Sequence, residues 1–134
     1  MMNKVAVDTN IRVYLHDESN SSKTDKAKDI IQHFPVIPAQ VISEYLNVLK
    51  RILKVPKLRL IEHCIILIEG CEIVNINHSI LEQSRNLITR YDFQLFDSII
   101  VASALAANCN ILYSEDLQHN QLIENRLTII NPFI

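Results

Sequence analysis

The chain has 134 residues, of which 49% are hydrophobic and 21% are charged, with a formal net charge of −2. This length favours a single domain, residues 1–134, with a core large enough to fold on its own. One glycine and four prolines are too few for a turn-rich all-β fold or a disordered chain, and no apolar run reaches the roughly 20 residues of a membrane span.

The first half of the chain predicts two short strands and four helices. Residues 3–7 are rich in β-branched side chains and predict a buried strand that stops at Asp8. The polar run SNSSKTD predicts a connection between a short helix, IRVYLHD, and a second helix, KAKDIIQHF. The segment VIP predicts a strand, and apolar residues at helical spacing predict a helix from Ala39 to about Lys54. The segment LRLIEHCIILIEG predicts another helix, which Gly70 closes in a left-handed conformation.

The second half alternates between strand and helix patterns. EIVNI predicts a strand, and NHSILEQSRNLITRY predicts a helix with Asn77 or Ser79 near its N-cap. DSIIVASALAAN is apolar on almost every side and predicts a buried helix. NILYSED predicts a strand that runs into acids, and QLIENRLTIINPF predicts a short turn and a last strand. Because helices separate the strands, we expect an α/β fold with a parallel sheet flanked by helices.

The cysteines and the charge distribution limit the function. Three cysteines without a C-x-x-C motif predict buried thiols in a reducing cytoplasm and argue against a zinc site. A net charge of −2 argues against a general nucleic-acid binder. The stretch KRILKVPKLR is nevertheless basic throughout, and it is either a solvated helix end or a phosphate-facing patch.

Four acids lie at positions where a parallel α/β fold places its ligands. Asp8 and Asp116 follow predicted strands, at whose carboxyl ends open sheets bind ligands. Asp97 begins the predicted buried helix, and Glu44 lies at the edge of the apolar stripe of another helix. Each acid alone has an ordinary explanation, as a helix cap, a turn residue or a solvated side chain.

Taken together, the four acids point to a metal site. If the fold gathers them, they repel one another unless some carboxyls take up protons or a divalent cation binds between them. Carboxylates without an accompanying cysteine or histidine motif suit Mg²⁺ or Mn²⁺. Such a site activates water and holds phosphate oxygens, which is the chemistry of phosphodiester cleavage.

Four segments, in order along the chain, carry a resemblance to a known family. They are VAVDTN, VISEYLNVL, FDSIIVASAL and LYSEDLQHNQLIENRLTIINPF. The chain resembles the PIN-domain ribonucleases, of the VapC-like toxin type found in bacterial toxin–antitoxin pairs. The resemblance implies a three-layer α/β/α fold and Mg²⁺- or Mn²⁺-dependent cleavage of RNA in the cytoplasm. It also implies a homodimer, inhibited by a small antitoxin protein whose tail fills the acidic groove.

The resemblance assigns roles to the acids. Asp8, Glu44 and Asp97 are similar to the acids that hold the cation directly or through water. Asp116 is similar to the fourth acid, which holds a second cation or orients the attacking water, and Glu115 is the alternative for that position. A polar contact that orients the site is expected from Thr9 or Asn10.

Two further expectations concern the surroundings of the acids. We expect basic side chains near the acids to hold RNA, and the candidates are Arg12, Lys50, Arg51 and Lys54. Asn120 stands where family members often carry glycine, shortly after the SED segment. Because asparagine tolerates the left-handed conformation better than most residues, the turn is expected to survive.

Three other interpretations remain. A phosphoacceptor signalling domain also places acids around magnesium, but it usually has paired acids after the first strand and a lysine after a late one. Here Asp8 stands alone and no lysine follows ILYSED. A non-catalytic PIN-fold interaction scaffold is the second interpretation, although all four acids are present. A nuclease acting on DNA or flap structures is the third, and such chains are usually larger.

Overall fold

The computed structural model describes residues 3–13 and 21–134, apart from the side chain of Arg12. Within these residues the strands are β1 (Val5–Val7), β2 (Val36–Pro38), β3 (Glu72–Val74), β4 (Ile111–Tyr113), β5 (Leu122–Ile123) and β6 (Leu127–Ile130). The helices are α1 (Thr9–Val13), α2 (Ser21–Ile31), α3 (Ala39–Leu53), α4 (Lys57–Ile68), α5 (His78–Tyr91) and α6 (Leu95–Ala106).

The described strands form one sheet in the order β3-β2-β1-β4-β6-β5, flanked by helices in three layers. All neighbouring strands pair in parallel except β5, which is antiparallel to β6. The predicted parallel α/β fold is therefore confirmed. The prediction of a single last strand was wrong, because the chain folds back as a hairpin through Glu124 and Asn125, both with left-handed backbones.

Strand β1 lies at the centre of the sheet. It pairs with β2 on one side and with β4 on the other, with Ala6 opposite both Val36 and Leu112. Ala6 and Val7 are completely buried, which explains why this short strand carries no polar residue. The chain leaves β1 towards β2 on one side, while β4 arrives on the other. The carboxyl end of β1 is therefore a topological switch point, where such sheets form clefts.

Helix α6 is the buried helix that the sequence predicts. Eight consecutive residues, from Ser98 to Leu105, are buried, and the helix contacts α3, α5, β2 and β3. It begins at Leu95, two residues earlier than expected, so Asp97 lies in its first turn rather than at the N-cap. Helix α3 buries Val41, Tyr45 and Leu49, whereas Ile52 and Leu53, which the apolar stripe also included, are exposed.

Several predicted helix ends and turns are confirmed. Gly70 has a φ of 82°, in the left-handed region. Asn77 caps α5, because its Oδ1 accepts a hydrogen bond of 2.9 Å from the Ile80 N–H. Asn120 adopts a left-handed φ of 68°, as expected for a residue that replaces glycine.

Other predicted boundaries shift, and some lie outside the described residues. Helix α2 already begins at Ser21, so the residues SSKTD of the predicted connection are helical. The predicted helix IRVYLHD is helical through Val13, and its remaining residues lie outside the described ranges. Cys64 and Cys109 are buried thiols, as predicted, and Cys71 is half-buried. None of the helices in residues 3–13 and 21–134 has the length and apolarity to cross a bilayer.

Leu112 provides a test of the sheet core. It is completely buried on β4, the strand that pairs with both β1 and β6. We expect Leu112→Ala to lower the free energy of unfolding by about 2–5 kcal/mol, measured by urea denaturation. The matched change Leu122→Ala, on the edge strand β5 where the side chain is 52% exposed, should cost less than about 1 kcal/mol. Equal losses in the two variants would contradict this account of the core.

Candidate functional site

Asp8 lies at the carboxyl end of the central strand. Its backbone N–H donates a hydrogen bond of 2.9 Å to the carbonyl of Tyr113, which continues the parallel pairing of β1 with β4 by one residue. Only 6% of Asp8 is exposed. The strand that fills the core therefore delivers a carboxylate into a nearly water-free position.

Two hydrogen bonds hold the Asp8 carboxylate. The Ser114 hydroxyl donates to Oδ2 at 2.8 Å, and the Thr9 N–H donates to Oδ1 at 2.6 Å. Ser114 is completely buried directly after β4, and its Oγ also accepts a hydrogen bond of 3.3 Å from the Leu117 N–H. Ser114 was not among the residues selected from the sequence. The available signal was its position as the first polar residue after the strand ILY.

Glu44 reaches the same place from α3. This helix begins directly after β2, so its first two turns stand above the carboxyl ends of the strands. The Thr9 hydroxyl donates to Glu44 Oε2 at 2.8 Å. Thr9 therefore contacts two of the predicted acids, one through its backbone N–H and one through its hydroxyl. Of the two residues considered for an orienting polar contact, Thr9 is the one that hydrogen-bonds to the acids.

Asp97 and Asp116 complete the set. Asp97 lies in the first turn of α6, where the helix dipole favours a negative charge. Asp116 follows β4 and Ser114. All four acids line one cleft of about 440 Å³, whose lining residues are Asp8, Thr9, Asn10, Val13, Glu44, Asn47, Val48, Arg51, Asp97 and Asp116. The structure therefore brings together acids that are up to 108 positions apart in the sequence.

The other predicted residues divide into two groups. Thr9, Asn10 and Arg51 line the cleft. Lys50 and Lys54 are exposed on or directly after the last turn of α3 and are not among the lining residues. The side chain of Arg12 lies outside the described part of the chain.

Glu115 points away from the cleft that Asp116 lines. Its Oε2 lies 2.5 Å from Lys23 Nζ of α2, and that ammonium also stands 5.4 Å from the centre of the Phe133 ring. Successive residues of an extended chain project to opposite sides. The turn after β4 therefore directs Ser114 inwards, Glu115 towards α2 and Asp116 into the cleft.

The acids influence one another. Burial raises the pKa of Asp8 from 3.8 to about 6, the hydrogen bonds from Thr9 and Ser114 oppose this, and the charges of Asp97 and Glu44 add to it. Burial and the charge of Asp116 raise the pKa of Asp97. The four acids outnumber the single arginine of the cleft, Arg51, and such an excess of negative charge favours a bound cation.

The donor set suits a hard cation that keeps water ligands. Among the described residues, no three His, Cys, Asp or Glu side chains are arranged to hold one ion by themselves. Mg²⁺ is commonly bound through one or two carboxylates, with waters and substrate phosphates completing its octahedron. Asn10 adds an amide whose nitrogen and oxygen are both buried without a hydrogen-bond partner in the described ranges. The carboxylates are therefore compatible with a hydrated divalent cation but do not enclose an ion within protein ligands.

A mostly parallel sheet with carboxylates from four segments around its switch point defines an α/β protein with an acidic cleft. The chain belongs to the PIN domain family, whose family model matches residues 5–124. Comparison with the sequences of curated proteins gives no match.

Solved structures share this fold over nearly the whole chain. A toxin–antitoxin complex from Klebsiella pneumoniae has a TM-score of 0.71 and 23% identity, covering 96% of this chain and 98% of that one. VapC20 from Mycobacterium tuberculosis, described as a toxin that cleaves the sarcin–ricin loop, has a TM-score of 0.66 and 17% identity, with coverages of 84% and 90%. FitAcB from Neisseria gonorrhoeae has a TM-score of 0.66 and 15% identity, with coverages of 96% and 98%.

The raised pKa of Asp8 predicts a pH-dependent stability. Between pH 4 and 6 the folded protein binds a proton that the unfolded chain has released, so the contribution of Asp8 is complete below pH 3.8 and is lost as the pH rises through about 6. We therefore expect Asp8→Asn to be more stable than the parent at pH 8, by at most about 3 kcal/mol, and equally stable at pH 4.

The measurement is urea denaturation in EDTA at both pH values. Asp92→Asn is the matched control, because Asp92 is exposed and does not line the cleft. A difference between parent and Asp8→Asn that stays constant across the pH range would contradict the burial of an ionising carboxyl.

Proposed function

We propose that the chain is a metal-dependent endoribonuclease that cleaves RNA phosphodiester bonds and acts as the toxin of a toxin–antitoxin pair. The observation that carries the proposal is the meeting of Asp8, Glu44, Asp97 and Asp116 in one cleft of a PIN-domain chain. The similar solved structures include a toxin–antitoxin complex and a toxin that cleaves the sarcin–ricin loop. Both support the proposal as proteins with the same fold.

Asp8, Glu44 and Asp97 hold Mg²⁺ or Mn²⁺, directly or through water. The metal supplies Lewis-acid stabilisation of the charge that develops on phosphate oxygens and promotes ionisation of the attacking water. Ser114 and Thr9 fix the orientation of the Asp8 carboxylate, and Thr9 fixes that of Glu44.

The remaining residues of the cleft act on the substrate. Asp116, exposed at the edge of the cleft, holds a second cation or orients the attacking water. Arg51, which lines the cleft, binds a phosphate of the RNA, while Lys50 and Lys54 hold the strand beyond it. Substrates with unpaired bases suit this open site better than a duplex, because loops expose their backbone.

A non-catalytic scaffold with the same fold is the second candidate. The observation that favours it is that no three acids among the described residues are arranged to hold one ion. A titration with Mg²⁺, measured by calorimetry, and an RNA cleavage assay separate the two candidates. A scaffold binds the ion poorly and cleaves no RNA. The nuclease binds it, and substrate phosphates strengthen that binding.

Substitution of the acids tests the proposal. We expect Asp8→Asn and Asp97→Asn to reduce Mg²⁺-dependent cleavage of RNA at least about 100-fold, because each removes a charge that holds the cation. Asp116→Asn should reduce cleavage more than Glu115→Gln, since only Asp116 lines the cleft. Cleavage is followed on a labelled RNA in Mg²⁺, Mn²⁺ and EDTA.

The matched control is Asp92→Asn, which removes one exposed carboxylate from the connection before α6. It should cleave like the parent, and circular dichroism should show the same fold in every variant. If purified Asp8→Asn and Asp97→Asn cleave as fast as the parent, the assignment of the site is wrong.

We also propose that the toxin forms a homodimer in the cytoplasm and is inhibited by a small antitoxin that occupies the acidic cleft. Large apolar side chains are exposed at the end of α3 and on α4, namely Ile52, Leu53, Leu58, Ile61 and Ile65. Exposed apolar surface of this kind marks protein–protein contacts. Buried thiols such as Cys64 and Cys109 suit a reducing compartment.

Sedimentation velocity tests the dimer. We expect the parent to sediment as a dimer at micromolar concentration, and Ile52→Glu with Leu58→Glu to shift it to a monomer, because charges on a buried apolar contact are costly. Leu122→Glu, at another exposed apolar position, is the control and should leave the dimer intact. A parent that sediments only as a monomer would remove this part of the proposal.

A further inference from the structure

A second concave surface, which we name the arginine groove, lies between α5 and the β5–β6 turn. Its volume is about 640 Å³, larger than that of the acidic cleft. The lining residues are Gln83, Arg85, Asn86, Thr89, Arg90, Glu124 and Arg126. Every one of them is polar or charged, so the groove has none of the apolar or aromatic anchors on which protein–protein contacts depend.

The groove is positively charged although the chain is not. It carries three arginines against one glutamate, whereas the whole chain has a net charge of −2. Glu124 Oε2 accepts a hydrogen bond of 2.5 Å from Arg90. Arg85 and Arg126 make no ion pair with any carboxylate in the described part of the chain. Two guanidinium groups are thus available to an anionic ligand.

The groove is held in shape before any ligand binds. The Glu124 N–H donates a hydrogen bond of 3.0 Å to the Tyr91 hydroxyl, which fixes the β5–β6 turn to the end of α5. The Arg126 N–H closes that turn with a hydrogen bond of 3.0 Å to the Ile123 carbonyl. Because α5 and the turn are already joined, binding costs less ordering of the backbone.

One end of the groove lies where α5 ends and α6, the helix with Asp97, begins. Arg90 lies in the last turn of α5, residues 92–94 form the connection, and Asp97 lies in the first turn of α6. Helices α5 and α6 pack against each other. A smaller hollow of about 170 Å³ shares Gln83 and Arg126 with the groove and is also lined by residues of α6.

We propose that the arginine groove binds the phosphate backbone of the RNA substrate, at nucleotides on one side of the bond that is cleaved. This inference rests on the proposed function. Arginine binds phosphate in a bidentate manner, and the Gln83 and Asn86 amides suit ribose hydroxyls. Separate guanidinium groups along an open groove fit a chain of phosphates, and the shared end of α5 and α6 directs that chain towards the acidic cleft.

RNA binding without cleavage tests the groove. A labelled single-stranded RNA is titrated with the parent and with Arg85→Gln/Arg126→Gln in EDTA, at salt concentrations from 50 to 200 mM. We expect the double variant to bind at least about 10-fold more weakly. Its plot of log K against log salt should be shallower by about 1.4, since each phosphate contact on a single strand contributes about 0.7.

The matched control is Lys26→Gln/Lys28→Gln, which removes the same charge from exposed positions of α2 that line neither surface. An unchanged salt slope in Arg85→Gln/Arg126→Gln, or an equal loss in the lysine control, would overturn the proposal. Retained RNA affinity with lost binding of polyglutamate would assign the groove to an acidic protein and also overturn it. If the parent binds RNA through the groove and yet cleaves none in Mg²⁺, the ribonuclease function fails while the groove stands.

Discussion

The burial of the Asp8 carboxylate between the ends of β1 and β4 is the constraint on which the site depends. A carboxylate with 6% exposure is tolerated only if it is hydrogen-bonded, and Ser114 and Thr9 provide those bonds. Ser114 reaches Asp8 because β1 and β4 pair in parallel and in register, with Val7 opposite Tyr113. The Thr9 hydroxyl in turn donates a hydrogen bond to Glu44 on α3. The strand register at the centre of the sheet therefore sets the geometry of the cleft.

The acids of the cleft reduce the stability of the fold. Burial and neighbouring charges raise the pKa of Asp8 to about 6, so its ionisation at neutral pH lowers the stability of the fold. Such perturbed groups are typical of functional sites. On the proposed function, a bound divalent cation would offset this penalty and link the stability of the protein to the occupation of its site. The acids that weaken the fold would then be the same ones that bind the cation.

The charge distribution gives the molecule two surfaces of opposite character. The acidic cleft gathers four carboxylates, whereas the arginine groove gathers three guanidinium groups within a chain of net charge −2. The α5–α6 pair connects them, since Arg90 and Asp97 belong to its common end. This separation suits the proposed RNA substrate, because carboxylates repel phosphates. The net charge of the chain does not reveal that acidic and basic side chains form two separate surfaces.

The sequence determined the features that depend on local pattern. These include the strand before Asp8, the buried helix α6, the left-handed Gly70 and Asn120, and the acids at strand ends that define the cleft. It did not reveal β5, because a two-residue strand has no period to detect, or the early start of α2, because a serine-rich run reads as a loop. Only the tertiary structure showed that Asp116 and not Glu115 lines the cleft, that Ser114 hydrogen-bonds to Asp8 and that three arginines line one groove. Those three outcomes depend on the direction of side chains after β4 and on contacts between residues far apart in the chain, which local pattern does not encode.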